Sequence, residues 1–221
     1  MPFIKFLTLL FNTVVAAECI TFIAAILLLH KKRIGVWRLF IALFALIVLA
    51  ETAGCFMYDI LGKHNHWVYN INMILTDIFI FWILSTANSL QKERKAIYIV
   101  IILFFSTAVI NLFFFEGLYH YNQYTETAGD IIQIIISCFL FYRLITEVAY
   151  RNLFSYEYFW LANGILFSSL GSTILYHFPE AMSSYQKLTH INVFAILNNI
   201  LNVLLYSSLI IAFICRYRNT R

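Results

Sequence analysis

Charged residues are scarce in this chain of 221 residues. Asp, Glu, Lys and Arg together make up 12% of it, about half of the share in an average soluble protein. Hydrophobic residues make up 62%, and the mean hydropathy is +0.81. This balance excludes a soluble globular domain. It predicts an all-α polytopic membrane protein in which residues 1–221 form a single transmembrane domain.

Proline and cysteine are also few. The two prolines, Pro2 and Pro179, lie outside the apolar runs that could span a membrane. The runs therefore lack the proline interruptions typical of the broken helices of transporters. The four cysteines have no spacing that indicates a zinc site or a disulfide framework, so we expect them to be small apolar packing residues.

Long apolar runs make up most of the chain. A hydrocarbon core about 30 Å thick needs roughly 20 apolar residues in a helix, and backbone polar groups in lipid must be paired within that helix. The pattern predicts a bundle of seven transmembrane helices over residues 7–29, 37–59, 67–89, 97–115, 128–148, 157–177 and 190–214.

Basic residues collect in alternate loops between these runs. Twelve of the 15 Lys and Arg residues lie on one side of the predicted membrane: Lys31, Lys32, Arg33, Arg38, Lys92, Arg94, Lys95, Arg143, Arg151, Arg216, Arg218 and Arg221. Because cytoplasmic loops carry the excess of Lys and Arg, we expect a bacterial inner-membrane protein with its N-terminus outside and its C-terminus in the cytoplasm. The net charge of +4 is then explained by the membrane topology of the chain. The expected partner is the lipid bilayer, and no nucleic-acid partner is expected.

Three acidic residues lie deep inside the first three runs. Glu18, Glu51 and Asp77 each stand about eight to eleven residues from the predicted outer end of their run, which is near the midplane at 1.5 Å per residue. A charge there costs about 2.5 to 3.5 kcal/mol. We therefore expect these carboxyl groups to face a wet or ligand-filled space inside the bundle. They are expected to be either protonated or ionised around a cation.

Other polar side chains extend this layer. Asn70 lies seven residues before Asp77, on the same helix face, and further residues follow the same rule on later helices. The predicted ligand-binding residues are Glu18, Glu51, Asp77, Asn70, Asn198, Asn199, Asp130, Gln133, Ser137 and Ser169. For any one of these residues alone, a structural hydrogen bond between two helices would explain its position inside the membrane. The three acids as a set favour a ligand, because Asn or Ser would suffice for a structural bond.

The third and seventh runs resemble each other. Residues 70–78, NINMILTDI, match residues 192–200, NVFAILNNI, at four of nine positions, and Asp77 aligns with Asn199. Weaker alignments pair the second run with the sixth and the first with the fifth. The pattern predicts a parallel repeat of three helices, one linker helix and three helices. Chance similarity between apolar helices is the alternative.

Seven spans with an outside N-terminus are similar in topology to microbial rhodopsins, receptor-type heptahelical proteins and the SWEET sugar transporters. The chain does not carry the motifs of these families. The seventh run has no lysine to which retinal could attach, so no retinal and no other cofactor is predicted. Topology alone does not establish function.

Three functions remain open. The first is a receptor-like sensor that binds a small polar or cationic ligand, or protons, from outside and signals to a cytoplasmic or membrane partner. The second is a transporter of a small solute or cation, with carboxylates as couplers. The third is a metal-dependent membrane hydrolase. Its candidate metal ligands are the outer-side histidines His64, His66, His120, His177 and His190, beside Glu116, Glu126 and Glu180. No histidine pair has HxxxH or HExxH spacing, so we expect no catalytic residues.

Overall fold

The computed structural model of the chain describes residues 13–62, 64–146, 152–177 and 192–220. These ranges contain helices and turns and no β-strand. The α-helices among them are α1 (Thr13–Leu29), α2 (Leu39–Cys55), α3 (His66–Ser85), α4 (Arg94–Ile110), α5 (Gln123–Thr146), α6 (Glu157–His177) and α7 (Val193–Asn219). The prediction of an all-α helical membrane bundle is confirmed.

Within the described ranges, six helical segments are long and apolar enough to cross a membrane. They are Arg33–Tyr58, His66–Ser85, Arg94–Phe115, Gln123–Thr146, Glu157–His177 and Val193–Asn219. The apolar part of α1, Val14–Leu29, is shorter. Its predicted span starts at residue 7, and residues 7–12 lie outside the described residues. So do residues 147–148 of the fifth predicted span and residues 190–191 of the seventh.

The surface of the bundle is apolar. Large side chains stand exposed along most helices, and Phe114 and Phe115 at the end of the fourth span are 80% and 78% exposed. Water would not tolerate a continuous apolar surface of this extent. Lipid does, and in lipid each helix satisfies its own backbone hydrogen bonds. The fold therefore matches an integral membrane protein.

Short irregular turns shape both ends of the helices. A 3₁₀ helix, Lys32–Arg38, leads into α2, and π-helical turns follow α2 at Phe56–Ile60 and α4 at Asn111–Phe115. Gly35 in the first of these turns has φ of 67° and ψ of −137°, a conformation that glycine adopts readily and other residues rarely do. We call the end with this turn and the end of α7 the basic end of the bundle.

Helix contacts are tightest around the last helix. α7 packs against α6 and α1, whereas α5 packs against α6 and α3. A Cβ atom on Gly164 of α6 would lie 2.7 Å from the Cβ atom of Ser208 on α7, so glycine permits this close approach. Lipid removes the hydrophobic drive between helices, so packing of this kind and interhelical hydrogen bonds hold them together.

Aromatic side chains fill the interior toward the basic end. Phe40 and Phe213 lie with ring centroids 5.1 Å apart, and Phe40 and Phe79 lie 5.0 Å apart. We call this the aromatic core, formed by Trp37, Phe40, Phe44, Phe79 and Phe213. Trp37, Phe40, Phe44 and Phe213 are almost fully buried. Dispersion between such closely packed rings stabilises the bundle without any help from water.

Candidate functional site

Glu18 lies on α1 and faces α7. Its side chain is buried, with the residue 5% exposed. Its Oε1 atom accepts a hydrogen bond of 2.9 Å from the hydroxyl group of Tyr206. Its Oε2 atom is also buried, and it has no hydrogen-bond partner within the described part of the chain. A buried carboxyl oxygen without a partner is costly, so this atom calls for an explanation.

Glu51 of α2 lies near Glu18. It is partly buried, and its Oε2 atom accepts a hydrogen bond of 3.3 Å from the hydroxyl group of Tyr69 on α3. The Glu51 carboxyl group interacts electrostatically with both Glu18 and Tyr206. We call these two acids the Glu18–Glu51 pair. Four helices, α1, α2, α3 and α7, therefore supply oxygen atoms to one small region.

Asp77 of α3 makes its hydrogen bond to α5. The Nε2 atom of Gln133 donates a hydrogen bond of 2.7 Å to Oδ1 of Asp77. The Oε1 atom of Gln133 accepts a hydrogen bond of 2.8 Å from the hydroxyl group of Ser169 on α6. All three side chains are buried. We call this chain the Asp77 network, and it ties α3, α5 and α6 together.

Two further carboxyl groups on α5 lie close to this network. Asp130 accepts hydrogen bonds from the hydroxyl groups of Ser172 and Thr173 on α6. Both Asp130 and Glu126, one helical turn earlier on α5, interact electrostatically with Asp77. We therefore include Asp130 and Glu126 in the Asp77 network, which combines acids from α3 and α5 with neutral donors from α5 and α6.

The three acids predicted to share one hollow therefore make different contacts. Glu18 interacts with Glu51, whereas the hydrogen bond of Asp77 goes to α5 and its acidic neighbours are Asp130 and Glu126. The physical reason is the close approach of α3 and α5 at Gly129. A Cβ atom there would overlap the Asp77 carboxyl group, so glycine makes room for Asp77 beside α5.

Asn70 is fully engaged with a loop. Its Nδ2 atom donates hydrogen bonds to the carbonyl oxygens of Leu118, at 3.3 Å, and His120, at 2.7 Å. Its Oδ1 atom accepts a hydrogen bond of 3.2 Å from the backbone N–H of Asn122. These three bonds anchor the connection between α4 and α5 onto α3. A ligand contact of Asn70 stays a prediction.

The remaining predicted residues differ in their surroundings. Ser137 of α5 is fully buried, and its hydroxyl group has no hydrogen-bond partner among the described residues. Asn198 and Asn199 of α7 are partly buried, and Asn198 accepts hydrogen bonds from Asn202 one turn later. Among the described residues, no hydrogen bond links these α7 residues to either acidic cluster, so their role in binding also stays a prediction.

The histidines do not form a metal cluster in the described ranges. His64, His66, His120 and His177 are described, and His190 and Glu180 lie outside the described residues. Across residues 13–62, 64–146, 152–177 and 192–220, no group of three or more His, Cys, Asp or Glu side chains could hold a metal ion. His177 is exposed, and its Nδ1 atom lies 2.9 Å from the carbonyl oxygen of Thr173.

The basic end holds an ion pair that the sequence did not predict. The Nη1 atom of Arg216 on α7 lies 2.8 Å from Oε1 of Glu157 at the start of α6. Asn219 donates a hydrogen bond of 2.9 Å to the other oxygen of Glu157. The Nη2 atom of Arg216 also donates to the carbonyl oxygen of Ile34, at 3.1 Å. Arg216 therefore ties α6, α7 and the α1–α2 connection together.

Two cavities have linings that include none of the acids of either cluster. One, of about 270 Å³, opens between α4 and α5 and is lined by Phe104, Thr107, Ala108, Ile110, Asn111, Phe115, Tyr124, Thr125 and Ala128. The other, of about 340 Å³, lies at the basic end and is lined by Asn88, Asn152, Ser155, Tyr156, Glu157 and Asn219. Neither of these two is lined by Glu18, Glu51 or Asp77.

Tyr206, Glu126 and Glu157 were not among the predicted ligand-binding residues. Tyr206 continues the polar stripe of Asn199 and Asn202 on α7, and Glu126 precedes Asp130 by one turn. Both spacings were available in the sequence as signals. The partners of Arg216 carry no such signal, because Glu157 is distant in the chain.

Comparison with known proteins adds no relative from which a function could be transferred. No family model, no curated protein and no solved structure matches this chain.

Proposed function

We propose that this protein is a seven-helix membrane sensor. A small cationic ligand, or a proton, reaches the Glu18–Glu51 pair from outside, and the response travels along α7 to the cytoplasmic side. One observation carries the proposal: a continuous line of side-chain contacts joins Glu18 to Arg216 and Glu157 at the basic end. A chain of packed side chains of this kind is one route by which two sites in a membrane protein can be coupled.

The upper part of this line runs through aromatic rings. Tyr206, which donates to Glu18, lies with its ring centroid 6.2 Å from that of Phe44. Phe44 in turn lies 6.2 Å from Phe213. Tyr206 and Phe213 are seven residues apart on α7 and so lie on one face of it. A change at the Glu18 carboxyl group would therefore move the packing of α7 against α2.

The lower part of the line ends in charge. Phe213 lies 6.4 Å from Trp37, and the Arg216 guanidinium group lies over the Trp37 ring at 6.0 Å. Arg216 holds Glu157 in the ion pair described above. A partner that contacts this end, from the cytoplasm or within the membrane, could respond to a change in the Arg216–Glu157 contact. These contacts support α6 and α7 as the elements that move in the proposed response.

The aromatic core favours a sensor over a transporter. It lies on the basic side of the Glu18–Glu51 pair and packs ring against ring. A solute moving past Glu18 toward the cytoplasm would have to displace these rings. A signal carried by small shifts in packing does not need that displacement.

The proposal includes seven spans with an outside N-terminus in a bacterial inner membrane. The basic loops support this orientation. It also includes the parallel repeat of three, one and three helices. If α1, α2 and α3 correspond to α5, α6 and α7, the contact of α1 with α7 corresponds to that of α5 with α3. Both contacts occur in the bundle. Fusions of alkaline phosphatase and green fluorescent protein to the C-terminus test the orientation, since only the fluorescent fusion should be active there.

A reporter at the basic end tests the signalling step. Cys215 is partly exposed and precedes Arg216. In a variant with alanine at Cys19, Cys55 and Cys138, an environment-sensitive dye on Cys215 should change its fluorescence when the medium is acidified or Na⁺ is added. Glu18→Gln should abolish this change. Glu116→Gln, which alters an acid near the outer loop, serves as the matched control. An unchanged response in Glu18→Gln would refute the proposed path.

A transporter is the second candidate, and the Asp77 network is the observation that favours it. Glu126, Asp130 and Asp77 interact in a row, and intramembrane acids of this kind form proton relays in transporters. Proteoliposomes with an internal pH dye, or loaded with ²²Na⁺, separate the two candidates. Flux abolished by Asp77→Asn would support the transporter. A Cys215 response without flux would support the sensor.

A further inference from the structure

The Oε2 atom of Glu18 is a buried hydrogen-bond acceptor. Glu18 is only 5% exposed. Its Oε2 atom has no hydrogen-bond partner among the described residues. Its sister atom Oε1 is already satisfied by Tyr206. Leaving such an atom empty costs about 1 to 3 kcal/mol, more if the group is charged. The Glu18 carboxyl group lies within electrostatic reach of Glu51, so the unpartnered atom and a second acid share one region.

Lys and Arg are absent from the helix segments around the Glu18–Glu51 pair, which are residues 13–29, 39–55, 66–85 and 193–215. The side chains that donate hydrogen bonds to the pair are the phenols of Tyr206 and Tyr69. An incoming cation would therefore meet negative charge that no protein group on these segments compensates.

The oxygen atoms of this region select the kind of cation. Carboxylate and hydroxyl oxygens suit hard cations, whereas the softer metals favour nitrogen and sulfur ligands. Ca²⁺ takes about six to eight oxygen ligands, and Mg²⁺ keeps several waters in an octahedral shell. Here two carboxylate oxygens already accept hydrogen bonds from tyrosines. The oxygens left fall short of the roughly six to eight that Ca²⁺ takes, and the buried Oε2 atom of Glu18 is shielded from the waters that Mg²⁺ keeps.

We propose that the Glu18–Glu51 pair, with the hydroxyl oxygens of Tyr206 and Tyr69, binds one hard monovalent cation of the Na⁺ class. The Oε2 atom of Glu18 is its innermost ligand, and the half-buried Glu51 lies on the entry side. This inference rests on the proposed function and names the ligand class of its sensing site. Binding at Glu18 would change the hydrogen bond with Tyr206, which is the first contact of the line along α7.

Thermal unfolding of the full-length protein in detergent tests the site. NaCl is compared with choline chloride at equal ionic strength, so that screening is the same in both series. The midpoint of unfolding should rise with NaCl and saturate, as expected when a ligand binds only the folded state. Glu18→Gln and Glu51→Gln should each weaken the apparent affinity at least about tenfold. Glu126→Gln, which changes a partly buried acid of the Asp77 network, should keep the wild-type response.

A direct binding measurement covers the case in which these variants do not fold. Equilibrium binding of ²²Na⁺ to the wild-type protein should show one saturable site, and CaCl₂ or MgCl₂ at the same ionic strength should compete poorly. Equal stabilisation by choline, no saturable ²²Na⁺ binding, or displacement by low concentrations of a divalent ion would each overturn the inference.

The cation site and the sensor can fail separately. If acidification changes the Cys215 fluorescence through Glu18 while ²²Na⁺ does not bind, the sensor stands and the cation site falls. If ²²Na⁺ binds but the Cys215 fluorescence stays constant, the cation site stands and the sensor falls.

Discussion

The hydroxyl group of Tyr206 lies 2.9 Å from Oε1 of Glu18 and joins the last helix of the bundle to the first. Tyr206→Phe keeps the buried ring and removes the donor, so that neither oxygen of the Glu18 carboxyl group has a hydrogen-bond partner in the described part of the chain. We expect the free energy of unfolding in detergent to fall by about 1 to 3 kcal/mol.

Tyr98→Phe is the matched control for this substitution. Tyr98 is 41% exposed on α4, and the loss of its hydroxyl group should change the free energy of unfolding by less than about 0.5 kcal/mol. Equal stability of Tyr206→Phe and Tyr98→Phe would show that the bond to Glu18 contributes nothing.

The ion pair at the basic end should stabilise the bundle more than a surface pair would. Arg216→Ala leaves the carboxyl group of Glu157, 5% exposed, with Asn219 as its remaining described side-chain partner. Because this leaves a buried charge without its counter-charge, we expect a loss of about 3 kcal/mol in chemical unfolding. Arg218→Ala, which removes an exposed arginine two residues away, should cost less than about 0.5 kcal/mol.

A second substitution separates lost charge pairing from lost packing of the arginine. Glu157→Gln removes the charge that Arg216 neutralises, so Glu157→Gln combined with Arg216→Ala should be less destabilised than the sum of the single variants. Simple additivity would contradict a specific role of the ion pair.

The all-helical membrane bundle could be predicted from the sequence because lipid restricts which structures can span it. Length and hydropathy of an apolar run determine whether a helix can span lipid, and both are local properties. For the same reason the burial of Glu18 and Asp77 could be predicted from their depth in a run. The choice of partner could not. Helical periodicity places Asp77 on a face of α3 but does not state which helix covers that face.

Gln133 shows this limit in detail. Its spacing from Ser137 placed both on one face of α5, and that much was local. Its two hydrogen bonds, to Asp77 and Ser169, depend on the tertiary approach of α5 to α3 and α6. Gly129 permits this approach, but in the sequence nothing distinguishes it from the other residues of its apolar run. Contacts between distant segments therefore required the structure.

We expect ionisation of Tyr121, in the connection before α5, to lower the stability of the folded protein at alkaline pH. Partial burial raises the pKa of its hydroxyl group above the ordinary value of 10.0, and the nearby Glu126 carboxylate acts in the same direction. Because the pKa is higher in the folded state, this contribution to stability is present below the unfolded pKa and is lost as pH rises through the folded pKa. Tyr121→Phe should lose less stability than the wild type between about pH 8 and about pH 11.

Tyr119→Phe controls for tyrosine ionisation in general. Tyr119 is 63% exposed in the same connection, so its removal should leave the alkaline loss of the wild type unchanged. Thermal unfolding of the three proteins at both pH values provides the comparison. An identical loss in Tyr121→Phe and Tyr119→Phe would exclude a special contribution of Tyr121.

The close approach of α3 and α5 predicts a strong coupling between Gly129 and Asp77. A Cβ atom at residue 129 would overlap the Asp77 carboxyl group, so Gly129→Ala should destabilise the protein by about 1 to 3 kcal/mol through overpacking. Asp77→Ala removes the overlapping group together with its hydrogen bond to Gln133. On the Asp77→Ala background, Gly129→Ala should therefore cost little, because alanine favours the helix over glycine. Unfolding of all four proteins yields the coupling energy, which should exceed about 0.5 kcal/mol. A coupling energy near zero would mean that Asp77 does not pack against the backbone of α5.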